Sequence, residues 1–153
     1  MSTSSQSRKH AIGLAGEFLV AGELLRRGVM AAVTYGNAKQ ADVVAICGGR
    51  AVTLEVKSTS EPKWVLGGEV PPATDDFWVL VFLPPTPTLA PEYYVLSANE
   101  LRSIVLPAHL EYAERYLLKH GKNFTRRGVV SVHRAQVLAA LGAWNKVIDA
   151  IDG

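Results

Sequence analysis

The sequence predicts an α/β domain, a mixed central β-sheet flanked by α-helices. Three observations predict it. Leu14, Phe18, Ala21 and Leu25 recur at helical spacing near the start. Residues 41–47 and 50–58 are β-rich runs joined by Gly48-Gly49, a two-residue hairpin signal. Residues 77–83 form a very apolar strand, followed by a helix start signal at Ser97, with Glu100 three residues on to complete a capping box.

The elements follow in the order α-β-β-β-(loop)-β-β-α-α-(β)-α. The first helix covers residues 11–27, with Arg26 and Arg27 in its last turn and Gly28 as its stop. Gly13, Gly16 and Gly22 lower its helix propensity, and small residues there allow close approach to a sheet. Strands are expected at 29–35, 41–47 and 50–58, with a turn over 36–39. A loop carrying Pro62, Gly67, Gly68, Pro71 and Pro72 spans 59–76. Strands at 77–83 and 92–96 flank a proline-rich connection. A helix from Ser97 to about residue 106, a second over 109–120 ending at Gly121, and a short strand at 129–132 come next. A terminal helix over 133–151 would put Val137, Leu141, Trp144, Ile148 and Ile151 on one side.

A length of 153 residues with 48% apolar content suits a single domain with its own core. Residues 1–9 read as a disordered tail and 10–153 as the domain, without internal repeat. The net charge of +2 neither demands nor forbids nucleic acid, so local basic patches matter more than the total. One cysteine, Cys47, excludes an intrachain disulfide and a cysteine zinc site, and fits a cytoplasmic setting. Residues 7–22 resemble a signal peptide only faintly, and Glu17 in their apolar stretch argues against one. No apolar run is long enough to span a bilayer, so no membrane partner is expected.

The hairpin register carries the functional argument. With Gly48-Gly49 as the whole turn, Cys47 faces Arg50 and Asp42 faces Glu55. Lys57, two residues on, shares that face. Val44 and Ile46 line the same face, while Val43, Ala45, Val52, Leu54 and Val56 line the other, the pattern of strands covered on both sides. Two facing carboxylates repel and are costly to desolvate. A divalent cation relieves both penalties, and carboxylate oxygens are what Mg²⁺ prefers. The Val56 carbonyl lies between the side chains as a further ligand candidate. Lys57 can hold a phosphate oxygen or stabilise developing charge. Glu17 falls at the flank of the helix's apolar face, toward whatever the helix covers.

Gly16-Glu17, Ala41-Asp42 and Glu55-Val56-Lys57 resemble the PD-(D/E)XK nuclease superfamily, the restriction-endonuclease-like fold, over residues 13–58. The opening helix, Gly-Glu-Phe-Leu-Val-Ala-Gly-Glu-Leu-Leu-Arg-Arg-Gly, is similar to that of small Holliday-junction resolvase-like endonucleases. The proline that often precedes the strand acid is Ala41 here. The resemblance implies a hydrolase: a Mg²⁺-dependent endonuclease, with Mn²⁺ as substitute, cleaving phosphodiesters of nucleic acid, DNA before RNA. Asp42 and Glu55 would be metal ligands, Lys57 the catalytic base or electrostatic group, and Glu17 an accessory ligand.

Blander readings stand beside these. Asp42 can be a solvated strand-end acid, and Glu55 with Lys57 an exposed pair of little energetic weight. Lys122, Arg126 and Arg127, with Lys119 and His120, can contact phosphates or simply complement a helix end. Lys63-Trp64 can meet nucleic acid, or Trp64 can anchor its loop. The terminal helix with Trp144 reads as core, with a homodimer contact as the minority alternative. The rival functions are a catalytically inactive nucleic-acid-binding module of the same fold and a protein-interaction domain.

Overall fold

The computed structural model describes residues 2–35, 41–124 and 129–153. The chain runs α1 (Ser2–Arg26), β1 (Met30–Val33), β2 (Val43–Cys47), β3 (Arg50–Thr59), β4 (Lys63–Gly67), β5 (Phe77–Phe82), β6 (Glu92–Ser97), α2 (Ala98–His120), β7 (Val130–His133) and α3 (Asn145–Asp152). Two short 3₁₀ turns, Arg134–Gln136 and Leu138–Ala140, join β7 to α3.

The hairpin sets the sheet. Gly48 and Gly49 both take positive φ, 53° and 83°, which a two-residue I′ turn requires and a side chain resists. Cys47 therefore pairs with Arg50, and the register runs out to Val43 opposite Leu54 as counted from the sequence. β3 then pairs with β5 in parallel, the one parallel contact in a five-stranded sheet of order β1-β2-β3-β5-β6. β4 and β7 form a separate antiparallel pair.

The sheet has a core on each face. On one, Val20, Ala21 and Leu24 of α1 and Val147 and Ile151 of α3 pack on Val43, Ala45, Leu54, Val56 and Val79. On the other, Leu101 and Val105 of α2 join Trp64 and Val132 of the small sheet over Trp78, Leu80 and Leu96. No side chain of β2 or β3 belongs to this second core. The expected cover on both faces of the hairpin is therefore half absent: Ile46 is 48% exposed, and Val44, Thr53, Glu55 and Lys57 are only partly buried. α2 and the small sheet are spent on β5 and β6, so among the described residues no helix covers the hairpin face bearing Glu55 and Lys57.

Four segments differ from the sequence expectation. α1 begins at Ser2 rather than residue 11, because nothing before Gly13 breaks a helix and the supposed tail continues it. Its buried stripe is Gly16, Glu17, Val20, Ala21 and Leu24, while Phe18 and Leu25 are about half exposed. The stripe is rotated toward the small residue that touches the sheet. The loop expected over 59–76 contains β4, whose Trp64 is buried and donates Nε1–H to the Val81 carbonyl at 3.0 Å. Trp64 is thus a core anchor, not a surface ring. α2 is a single helix running on through Pro107, its ends fixed by the Ser97–Glu100 capping box and by Gly121, whose N–H reaches the Leu117 carbonyl.

The expected terminal helix over 133–151 is the fourth. The His133 side chain caps the first 3₁₀ turn, and Gly142 takes φ 64°, so no continuous helix can form. The segment has to change faces: Val137 and Ala140 lie in one core, Trp144 and Ile151 in the other. It crosses along the β6 edge, where Gly142 donates its N–H to the Tyr93 carbonyl at 2.7 Å. That contact shields an otherwise open sheet edge. Leu141, expected on the buried side, is 53% exposed.

Candidate active site

At Asp42 the β2 strand bends away from its ladder. The Asp42 N–H donates to the Leu54 carbonyl at 3.1 Å, and its carboxylate Oδ2 accepts the Val56 N–H at 2.8 Å. These two bonds bracket Glu55. The regular register ends at Val43 opposite Leu54, one residue short of the Asp42–Glu55 pair that the count predicts, and the bend joins Asp42 to Val56 instead. The Asp42 carboxylate replaces the backbone carbonyl that would otherwise continue the ladder, so it lies near the sheet plane rather than stacked on a core. Asp42 is 8% exposed, a burial a carboxylate tolerates because a backbone donor satisfies it.

Glu55 and Lys57 register with Trp78 and Leu80 of β5 and share their face, the one α1 does not cover. Both are partly buried. The Val56 carbonyl lies past the last β2–β3 pair, on the side of Asp42. The bend thus joins the Asp42 carboxylate to the stretch of β3 that carries the Glu55 carboxylate, the Val56 carbonyl and Lys57. Hard oxygen donors of this kind suit Mg²⁺, which usually binds through one or two carboxylates and keeps several waters. Among the described residues, no three acidic, histidine or cysteine groups converge closely enough to hold a metal by themselves.

Glu17 is buried, as its flank position on α1 suggested. It comes from the face opposite Glu55. Its place is set by Gly16, where a Cβ would fall 1.7 Å from Ser58 Oγ and 3.5 Å from Val56 Cγ1. Only glycine lets α1 sit this close to β3. The Ser58 hydroxyl is enclosed at this contact without a hydrogen-bond partner among the described residues.

Of the basic residues singled out in the sequence, Lys63 is exposed on β4 opposite His133. Lys122 is exposed just beyond the α2 C-cap. Arg126 and Arg127 lie outside the described residues. The sequence reading missed Arg8 and Lys9. With α1 starting at Ser2 they stand on a helix, and both line a groove of about 1060 Å³ that Lys57 and Lys63 also line. The absence of any helix breaker before Gly13 was the signal that could have found them.

No protein-family model and no curated protein matches the chain. Solved structures do. A bacterial homing endonuclease, I-Ssp6803I, superposes with a TM-score of 0.58 at 14% identity, over 92% of this chain and 93% of that one. Hjc of Archaeoglobus fulgidus, a Holliday junction resolvase from an archaeal hyperthermophile, superposes with a TM-score of 0.51 at 16% identity, over 87% and 93%. Both are nucleases of the restriction-endonuclease-like PD-(D/E)XK fold. At such identities the likeness speaks for architecture, and this chain has that architecture.

Proposed function

With the restriction-endonuclease-like fold as premise, we propose that the chain is a divalent-metal-dependent nuclease hydrolysing phosphodiesters, DNA first. The observation that carries the proposal is the bend at Asp42. It holds one carboxylate against the Val56 N–H, on the stretch of β3 that carries Glu55 and Lys57. In this reading Asp42, Glu55 and the Val56 carbonyl hold Mg²⁺ or Mn²⁺, and Glu17 is the accessory acid. A cation so held would lower the pKa of a coordinated water and offset phosphate charge. Lys57 would hold a non-bridging phosphate oxygen and stabilise the charge that develops as the water attacks. The Val56 N–H fixes the Asp42 carboxylate, so one ligand is oriented before substrate arrives.

The test is cleavage of labelled duplex and branched DNA with Mg²⁺, Mn²⁺ or EDTA. Cleavage should need the metal and be lost in Glu55→Ala and Lys57→Ala. Equal activity in EDTA, or full activity in Glu55→Ala, would sink the proposal. The lack of a three-acid cluster among the described residues favours one alternative, a catalytically silent DNA-binding module. That protein would bind DNA with steep salt dependence and would cleave it with none of the divalent metals.

A further inference from the structure

The groove beside Lys57 has an unusual wall. The opening turns of α1, the end of β3 and the start of β4 enclose it, and Arg8, Lys9, Lys57 and Lys63 bring their cations to it. Glu61 is its one acidic lining residue among the described residues. None of the four cations forms an ion pair among the described residues, although Arg26, Arg27, Arg115, Arg134 and Lys146 all do. His133, which pairs with Lys63 across β4 and β7, lines the groove as well. Its Nδ1 accepts the Ala135 N–H at 3.2 Å, which leaves Nε2 as the donor nitrogen of the neutral ring. The groove follows the chain from Lys57 through the end of β3 to Ser60, about 10 Å at strand rise. It is therefore longer than a single phosphate needs.

We propose that this groove is a clamp for the phosphate backbone of a DNA strand. Arg8 and Lys9 of the helix start close on it from one side, and Lys63 with His133 from the other. What occupies it rests on the nuclease reading, since Lys57 belongs to both groove and site. The clamp holds the strand on the Lys57 side of the Asp42–Glu55 bend and so fixes which phosphate meets the acids. The opening turns of α1, which look like a dispensable tail in the sequence, become a substrate-positioning element.

The test is anisotropy of a fluorescein-labelled 20-base-pair duplex in EDTA between 50 and 200 mM KCl, probe and salts chosen at about the range where phosphate contacts are resolved. Arg8→Gln/Lys9→Gln should weaken binding at least about tenfold at low salt and reduce the log–log salt slope by about 2. Lys63→Gln should reduce the slope by about 1. Arg8→Lys/Lys9→Arg should bind like the parent, and Arg115→Gln, on the exposed side of α2 outside the groove, should change nothing. All these side chains are exposed, so circular dichroism should be unaltered. An unchanged affinity and slope in Arg8→Gln/Lys9→Gln overturns the clamp, as does a parent protein that binds no duplex at 50 mM salt, at roughly the low end of that range. Polyglutamate competing as well as unlabelled DNA at equal charge overturns the nucleic-acid assignment. Failure of the nuclease reading is separate: binding through Arg8 and Lys9 without metal-dependent cleavage supports the clamp and refutes the enzyme.

Discussion

Gly16→Ala is the sharpest perturbation of the helix seat that carries Glu17. The new methyl would lie 1.7 Å from Ser58 Oγ and 2.9 Å from Ser58 Cβ. Rotating Ser58 moves the hydroxyl away but leaves its Cβ in place, so α1 has to lift from β3. Overpacking of this kind costs about 1–3 kcal/mol. Alanine's better helix propensity returns about 1 kcal/mol. The net expectation is a loss of about 1 kcal/mol. Gly13 and Gly22 are internal controls, because a Cβ at either meets nothing within 4 Å. Alanine there should gain about 0.5–1 kcal/mol. Urea denaturation of the three variants should therefore separate Gly16→Ala from its controls by roughly 1.5–2 kcal/mol. Gly16→Ala in a Ser58→Gly background, which removes both clashing atoms, should recover most of the loss. A Gly16→Ala protein as stable as Gly13→Ala would refute the reasoning that the helix is seated at this residue.

Other outcomes follow from the same contacts. Asp42→Ala strips the Val56 N–H of its acceptor and should cost about 1–3 kcal/mol, whereas Asp42→Asn keeps an acceptor there and should stay near parental stability while losing cleavage. Trp64→Ala should cost about 3–5 kcal/mol in denaturant titration, since the ring is fully enclosed between the small sheet and β5. Burial raises the Glu100 pKa, but hydrogen bonds from Ser97 and Lys146 outweigh it and hold the carboxyl below its ordinary value. Its contribution is present above the ordinary glutamate pKa and fades as pH falls through the lowered one. The pair is half exposed, so Glu100→Gln should cost less than about 1 kcal/mol at neutral pH and nothing in acid, read from melting curves across pH.

The sequence made the hairpin and its register legible because one glycine pair dictates both, and the pairings from Cys47–Arg50 to Val43–Leu54 follow by counting. The α2 caps were legible for the same reason: each is a local hydrogen-bond pattern of a few residues. What escaped depended on contacts distant in sequence. β4 is a strand because β7, more than sixty residues on, supplies its partner, roughly the kind of non-local pairing that local propensity misses. The face of α1 was misjudged because helical spacing favours large apolar residues, whereas Gly16 determines which side meets the sheet. Residues 137–151 carry apolar residues at helical spacing, yet those residues serve two cores, and periodicity cannot tell one destination from two.

The passage of the C-terminal segment around β6 has a consequence for how the molecule comes apart. Val137 and Trp144 are few residues apart yet anchor opposite layers, so neither layer can loosen without pulling on the other. Unfolding should then be a single cooperative event, with the fluorescence of Trp64 and that of Trp144, each read alone after replacing the other tryptophans with phenylalanine, falling at the same denaturant concentration. Cutting the connection near Gly142 should split that shared transition in two.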